Sequence, residues 1–162
     1  MRSVTSFNDN WDFEGTKVTL PHTAVELPFS YFDEKRYQRA FTYTKTFAAE
    51  PAWAGKDVSV VFDAAMADAK VSLNGTQLVA HKDGYTPFEA RLTGKLKDGQ
   101  NTLTVTIDGS ENPEIPPFGG QIDYLTYAGI YRDVWLKLTD PVSIGRVKVE
   151  TPDALAAKKT VT

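Results

Sequence analysis

The sequence contains no cysteine among its 162 residues, which excludes disulfide bonds, thiolate metal sites and cysteine nucleophiles. Its two histidines, His22 and His81, are isolated and match no zinc-ligand spacing. The net charge is −3 and no run of like charges occurs, which argues against a nucleic-acid or membrane-surface partner. No apolar run approaches the ~20 residues of a membrane span. These absences leave a chain of ordinary globular composition, 41% hydrophobic and 24% charged.

The sequence leaves the cellular compartment open. The first ten residues, MRSVTSFNDN, lack the apolar stretch of a signal peptide. We expect a periplasmic or secreted location if a leader was removed, and a cytoplasmic one otherwise. The length suits one domain with a sizeable core.

Alternation of apolar and polar residues dominates the chain, and nothing predicts a long amphipathic helix. Strands are predicted at residues 39–47, 57–63, 69–73, 76–81, 102–107 and 130–138, and residues 142–150 alternate again. Asn74 and Gly75 form the dipeptide most typical of a type I′ hairpin turn. The pattern predicts an all-β sandwich. Its expected core is Phe41, Tyr43, Val60, Phe62, Val71, Leu73, Leu103, Val105, Val134 and Leu136.

Two long irregular segments, residues 20–35 and 109–120, interrupt the strands and are rich in proline. Because proline removes a donor from a strand ladder, neither segment is a central strand. Loops of this length in a compact domain commonly carry function or wrap the surface.

The run DYLTYAGIYRDVWL, residues 123–136, is the most informative stretch. Asp123 stands among aromatics just before the last predicted strand, and a polar loop held by a rigid strand is a usual setting for a binding site. Arg132 falls on the otherwise apolar face, so it needs a carboxylate partner or an exposed strand end. An ordinary loop and sandwich strand would explain the same residues.

This run resembles the end of the N-terminal sugar-binding domain of glycoside hydrolase family 2, the β-galactosidase and β-glucuronidase family. Three other segments resemble earlier parts of that domain in the same order: FNDNWDF (7–13), YQRAFTYTKTF (37–47) and the stretch from VSLNGTQL to TVTID (71–108). The resemblance covers about residues 6–141. It implies a jelly-roll β-sandwich, galactose-binding-domain-like, over residues 1–141. It further implies that residues 142–162 are a linker and the first strand of a following immunoglobulin-like domain.

The resemblance also implies a function. In the family, the Asp at the position of Asp123 reaches into the active site of a separate barrel domain and hydrogen-bonds a sugar hydroxyl. Tyr124 and Tyr127 would stack on the sugar or fill the interface with the missing domains. Ala128 and Gly129 replace the commoner Gly-Gly pair. In the family the catalytic glutamates lie on a separate barrel of typically ~250 residues, so we expect no catalytic residue here and an inactive fragment. We also expect neither a metal nor a cofactor.

Two other functions stay open. A self-sufficient carbohydrate-binding module would present several aromatics as a sugar platform, for which Tyr31, Phe32, Trp53, Tyr85 and Trp135 are the candidates. A purely structural interaction domain would leave Asp123 idle. For the parent enzyme, β-galactosidase is the expected activity, with β-glucuronidase and β-mannosidase open.

Overall fold

A computed structural model describes residues 2–26, 28, 30, 33–116, 118, 127–145, 147–152 and 154–158. Within these ranges the regular structure is ten β-strands and two single 3₁₀ turns, at Glu34–Arg36 and Pro51–Trp53. The strands are β1 (Arg2–Ser6), β2 (Trp11–Phe13), β3 (Thr16–Val18), β4 (Ala40–Ala48), β5 (Asp57–Phe62), β6 (Asp68–Leu73), β7 (Thr76–Lys82), β8 (Phe88–Arg91), β9 (Gln100–Asp108) and β10 (Val134–Thr139). No helix in the described part is long and apolar enough to cross a membrane.

The strands form two antiparallel sheets of a jelly-roll sandwich. One has four strands in the order β1-β10-β5-β8, and the other has six in the order β3-β2-β4-β9-β6-β7. The predicted all-β sandwich is therefore confirmed. The register pairs Thr42 with Thr106 and Thr44 with Thr104 on the outer face, while Tyr43 and Val105 pair on the inner face. This period of two puts the apolar side chains of both sheets between the layers.

The predicted core is confirmed in full. All ten predicted residues are at most 6% exposed, and they pack in one cluster with Trp11, Leu20, Phe88, Leu92 and Ile107, apart from Phe41, which is buried beside Phe13. Phe62 and Phe88 stack with ring centroids 4.8 Å apart across the paired strands β5 and β8. Such pairs add to the area that the rings bury.

The hairpin turn is confirmed as well. Asn74 and Gly75 have φ of 51° and 84°, the two positive values that a type I′ turn needs, and they connect β6 to β7. The sequence pattern missed β2, β3 and β8, which have too few residues to show a period, and β1, whose five residues include a single apolar one, Val4.

One strand boundary differs from prediction. The last strand begins at Val134 rather than Ile130, because Ile130 and the residues before it are bonded to loops instead of a sheet. The described residues of 142–150 form no strand: Val142, Ile144, Val147 and Val149 are 66–93% exposed and have no partner strand within the described chain.

The register also determines which loops meet. Ala40 and Asp68 both pair with Asp108, and Val134 and Phe88 both pair with Phe62. Consequently the connections 63–67 and 83–87 and the described ends of the connection 109–133 lie at one end of the sandwich, together with the residues that lead into β4. We call residues 109–133 the β9–β10 loop.

Candidate functional site

The β9–β10 loop carries the predicted site residues. Asp123 and Tyr124 lie outside the described residues, so their predicted roles stay predictions. Tyr127 is described and half-buried, and its ring meets that of Tyr131 edge-on with centroids 5.1 Å apart. Its role toward a sugar likewise stays a prediction. The structure does describe both places where this loop leaves the sandwich.

The C-terminal root of the loop is Ala128, Gly129 and Ile130. All three residues are buried, and Ala128 and Ile130 are 0% exposed. On one side the carbonyls of Ala128 and Ile130 accept hydrogen bonds from the backbone N–H groups of Ala24 (2.7 Å) and His22 (2.8 Å). On the other side Gly129 exchanges two backbone hydrogen bonds with Met66, at 3.0 and 3.3 Å. Buried polar backbone groups must be paired, and here three chain segments satisfy one another.

Gly129 has a specific reason to be glycine. Its φ of +135° is strained for an L side chain. A Cβ would also lie 2.6 Å from the His22 carbonyl oxygen and 2.9 Å from the Ala24 nitrogen. Ala128 is equally enclosed, since a Cβ placed on Gly109 would lie 2.6 Å from the Ala128 Cβ. The small residues Ala128 and Gly129 therefore fit a root that two neighbouring chain segments contact closely.

His22 and Tyr43 lie against this root. The His22 Nδ1 and the Tyr43 hydroxyl are hydrogen-bonded at 2.9 Å, and both rings pack on Phe13. Burial lowers the pKa of His22 and raises the pKa of Tyr43, so both are neutral near pH 7. Nothing in the sequence indicated the pairing of His22 with Tyr43.

The N-terminal root of the loop, residues 112–116, packs in a second, smaller cluster. Ile115 is 2% exposed and lies with Met66 and Ala67, against which Phe118 and Tyr131 also pack. The backbone turns here through hydrogen bonds from Ile115 to the Asn112 carbonyl and from Phe118 to the Ile115 carbonyl, both 2.9 Å. Both roots therefore share the apolar cluster around Met66.

A tight turn at residues 83–86, between β7 and β8, lies beside both roots. Asp83 Oδ1 accepts from the backbone N–H groups of Tyr85 (2.7 Å) and Thr86 (3.2 Å). Burial raises the Asp83 pKa, but these bonds outweigh burial and the net shift is downward. Arg132 Nη1 donates to the Tyr85 carbonyl at 3.3 Å, and Arg132 is exposed. Arg132 is exposed, as one of its two predicted settings requires, but it lies in the loop two residues before β10 and not at a strand end.

The other candidate ligand groups are less promising. The described residues hold no group of three or more His, Asp or Glu side chains placed to bind a metal ion. Tyr31 and Phe32 lie outside the described residues. Trp53 is 7% exposed and packs on Phe47, so it presents little ring face to a sugar. Trp135 is half-buried and donates its indole N–H to Asp63 at 2.9 Å.

Comparison with known proteins identifies relatives of this sandwich. The family described as "Glycosyl hydrolases family 2, sugar binding domain" matches residues 3–141. A β-galactosidase of Rhizobium meliloti is 52% identical over 99% of this chain, which covers 23% of that protein. A β-galactosidase of Thermoanaerobacterium thermosulfurigenes is 42% identical over 93% of this chain, which covers 24% of that protein. The chain thus spans about a quarter of the length of these relatives.

A solved structure shares the fold. The crystal structure of Bacteroides uniformis β-glucuronidase superposes with a TM-score of 0.75 at 28% identity, over 86% of this chain and 18% of that one. The match to only a small part of each larger protein agrees with the single sandwich described above.

Proposed function

This chain belongs to the sugar-binding domains of the family 2 glycosyl hydrolases, and we propose that it serves as the non-catalytic N-terminal domain of a β-galactosidase. In this proposal the β9–β10 loop presents Asp123 to a terminal β-linked sugar in the active site of a neighbouring barrel domain. The main support is the 52% identity to a β-galactosidase over 99% of the chain.

The chemistry of the parent would lie outside this chain. Retaining glycoside hydrolysis needs two carboxylates about 5–5.5 Å apart, which in this family lie on a barrel of ~250 residues. A chain of 162 residues folded as one sandwich has no room for that barrel. The isolated chain would therefore be inactive, and its contribution would be one substrate contact and an interface.

Asp123 suits the contact because a carboxylate accepts hydrogen bonds from neighbouring sugar hydroxyls at two oxygens. The hydrogen-bonded C-terminal root supports the proposal, since a residue that contacts substrate must be held within a fraction of an ångström of its productive position. Ala128 and Gly129, close after Asp123 in sequence, are bonded on both sides to other segments of the sandwich. Tyr124 and Tyr127 would stack on the sugar or fill the interface with the barrel.

The proposal extends to the tail. Residues 142–162 would be a linker and the first strand of an immunoglobulin-like domain, leaving 1–141 as the sugar-binding domain. The exposed apolar side chains Val142, Ile144, Val147 and Val149 support this extension, because a strand that pairs in a following domain would bury them there.

A second candidate for the parent is β-glucuronidase, favoured by the structural similarity to the Bacteroides uniformis enzyme. The substrates of the two candidates differ at C6, where a glucuronide carries a carboxylate, and in the configuration of the C4 hydroxyl. Assay of the complete enzyme on nitrophenyl β-galactoside and nitrophenyl β-glucuronide separates them directly. A preference for the glucuronide would replace β-galactosidase as the parent activity while leaving the domain assignment intact.

The test of the site is Asp123→Ala in the complete enzyme. We expect a roughly 10–200-fold fall in kcat/KM, because a hydrogen bond to a charged group contributes roughly 1.5–3 kcal/mol. The melting temperature should hardly change, because the proposal gives Asp123 a role toward the substrate and none in the fold, and such substitutions typically alter stability by within about ±0.5 kcal/mol.

Deoxy substrates provide the control for Asp123→Ala. The mutation should cost much less on the analogue that lacks the contacted hydroxyl, because the hydrogen bond is already missing. Equal losses on every deoxy analogue, or a large fall in melting temperature, would make Asp123 structural. Titration of the isolated chain with galactose tests the rival: tight binding would instead indicate a self-sufficient carbohydrate-binding module.

A further inference from the structure

The turn at residues 83–86 has no assigned role, yet it contacts both roots of the β9–β10 loop. We propose that this turn is a positioning element for the loop, and that Tyr131 and Gly84 are the residues that connect them. The inference rests on the proposed function, since the loop matters for catalysis through Asp123.

One residue of the turn joins the two roots. The Gly84 N–H donates to the carbonyl of Pro116, which immediately precedes residues 117–126, at 3.2 Å. The Gly84 carbonyl accepts a hydrogen bond from the Tyr131 hydroxyl, just beyond the C-terminal root, at 2.5 Å. Through Gly84, the two ends of the stretch that carries Asp123 are therefore tied to each other as well as to the sandwich.

The turn is itself rigid enough for this role. Asp83 caps it through the backbone of Tyr85 and Thr86, and the Thr86 hydroxyl is hydrogen-bonded to His81 Nε2 at 3.0 Å. The His81 ring in turn stacks on Phe88 of the core with centroids 4.5 Å apart. A side-chain network of this kind fixes the Gly84 peptide relative to β7 and β8.

Space around Gly84 shows how closely the turn approaches the shared cluster. A Cβ at this position would lie 2.4 Å from the Met66 sulfur and 2.9 Å from its Cε. Met66 is 2% exposed, and its backbone pairs with Gly129 at the other root. An added methyl group would therefore displace the turn or the Met66 side chain that packs between the roots.

Tyr131 is suited to be the connecting donor. It packs against the Met66 cluster, and burial raises the pKa of its phenol, so the hydroxyl remains protonated over the working range of an enzyme. Arg132, the next residue, donates to the Tyr85 carbonyl of the same turn. Two consecutive side chains just after the C-terminal root thus bind two consecutive carbonyls of the turn.

The test combines Tyr131→Phe with Asp123→Ala in the complete enzyme. Removing the hydroxyl alone should lower kcat/KM by about 3- to 30-fold, because misplacing a contact residue slightly costs much of its effect. In the Asp123→Ala background the same substitution should lower kcat/KM by less than about 2-fold. A purely structural hydroxyl would give the same factor in both backgrounds.

A second variant and a control complete the test. Gly84→Ala should show the same dependence on Asp123, whatever its effect on stability. Thr93→Val is the matched control: it removes a side-chain hydroxyl that bonds the Val58 backbone at the opposite end of the sandwich, and kcat/KM should stay unchanged.

The outcomes separate this inference from the proposed function. A fall for Asp123→Ala with none for Tyr131→Phe would overturn the positioning role and leave the function standing. No fall for Asp123→Ala would overturn the proposed function, and with it the inference. Equal factors for Tyr131→Phe in both backgrounds would overturn the inference alone.

Discussion

At the residue scale, single atoms decide whether the root of the β9–β10 loop can close. Gly129 leaves no space for a side chain: the His22 carbonyl, the Ala24 nitrogen and the Tyr43 hydroxyl lie 2.6, 2.9 and 3.0 Å from where a Cβ would be. Two of these atoms belong to backbone segments that are themselves hydrogen-bonded to the root, so moving them away would disturb those hydrogen bonds.

Gly129→Ala should therefore destabilise the chain by about 3 kcal/mol or more, since a strained φ alone costs of order 1–3 kcal/mol. Gly145→Ala is the matched control, because nothing lies within 4 Å of its Cβ position and its φ is not in the strained range. Urea denaturation of both variants measures the difference. Equal stabilities would mean that the root relaxes freely and does not fix the loop.

At the element scale, the sandwich depends on contacts between paired strands and between sheets. β5 lies inside the four-stranded sheet between β10 and β8, and its side chains Val58, Val60 and Phe62 are at most 2% exposed. The end of β5 is also where the chain crosses to the other sheet through residues 63–67, which contain Met66. Packing at this position therefore supports both the core and the loop root.

Phe62→Ala should cost about 3–5 kcal/mol through lost burial and a residual cavity. This is a large share of the 5–15 kcal/mol that stabilises a typical domain. Val4→Ala on the outer face, where Val4 is 47% exposed, should change stability by less than about 0.5 kcal/mol. Denaturation midpoints compare the two, and a similar small loss for Phe62→Ala would contradict the assigned core.

At the scale of the whole molecule, the folded unit ends near the last strand. β10 pairs with both β1 and β5, and Lys56 forms an ion pair with Asp140 just after it. The described residues beyond 141 contribute exposed apolar side chains instead of core, with Leu155 fully exposed. Within this tail the described ion pair joins Lys148 to Glu150, so it does not connect the tail to the sandwich.

Truncation after Pro141 should consequently leave the free energy of unfolding unchanged within about 0.5 kcal/mol. It should also reduce self-association, because it removes exposed Val and Ile side chains. Urea denaturation and light scattering of the full and shortened chains provide the measurements. A loss of several kcal/mol would show that the tail belongs to the sandwich and would move the domain boundary.

Much of the architecture can be predicted from the residues alone. Alternating side chains identify which face of a strand is buried, and Asn74 and Gly75 identify a turn because only a few residues adopt its backbone angles. Short strands such as β2 and β8 were not predicted, because three or four residues cannot show a period. The extension of the last strand to Ile130 was wrong, because alternation does not reveal whether a segment's hydrogen bonds go to a sheet or to loops.

The surroundings of the candidate site were decided by tertiary structure. The importance of Gly129 depends on His22 and Ala24, more than 100 residues earlier, and that of Tyr131 on Gly84. These groups meet because the antiparallel register brings separate connections to one end of the sandwich. Local sequence specifies backbone angles and buried faces, whereas hydrogen bonds between distant loops exist only once the two sheets have packed.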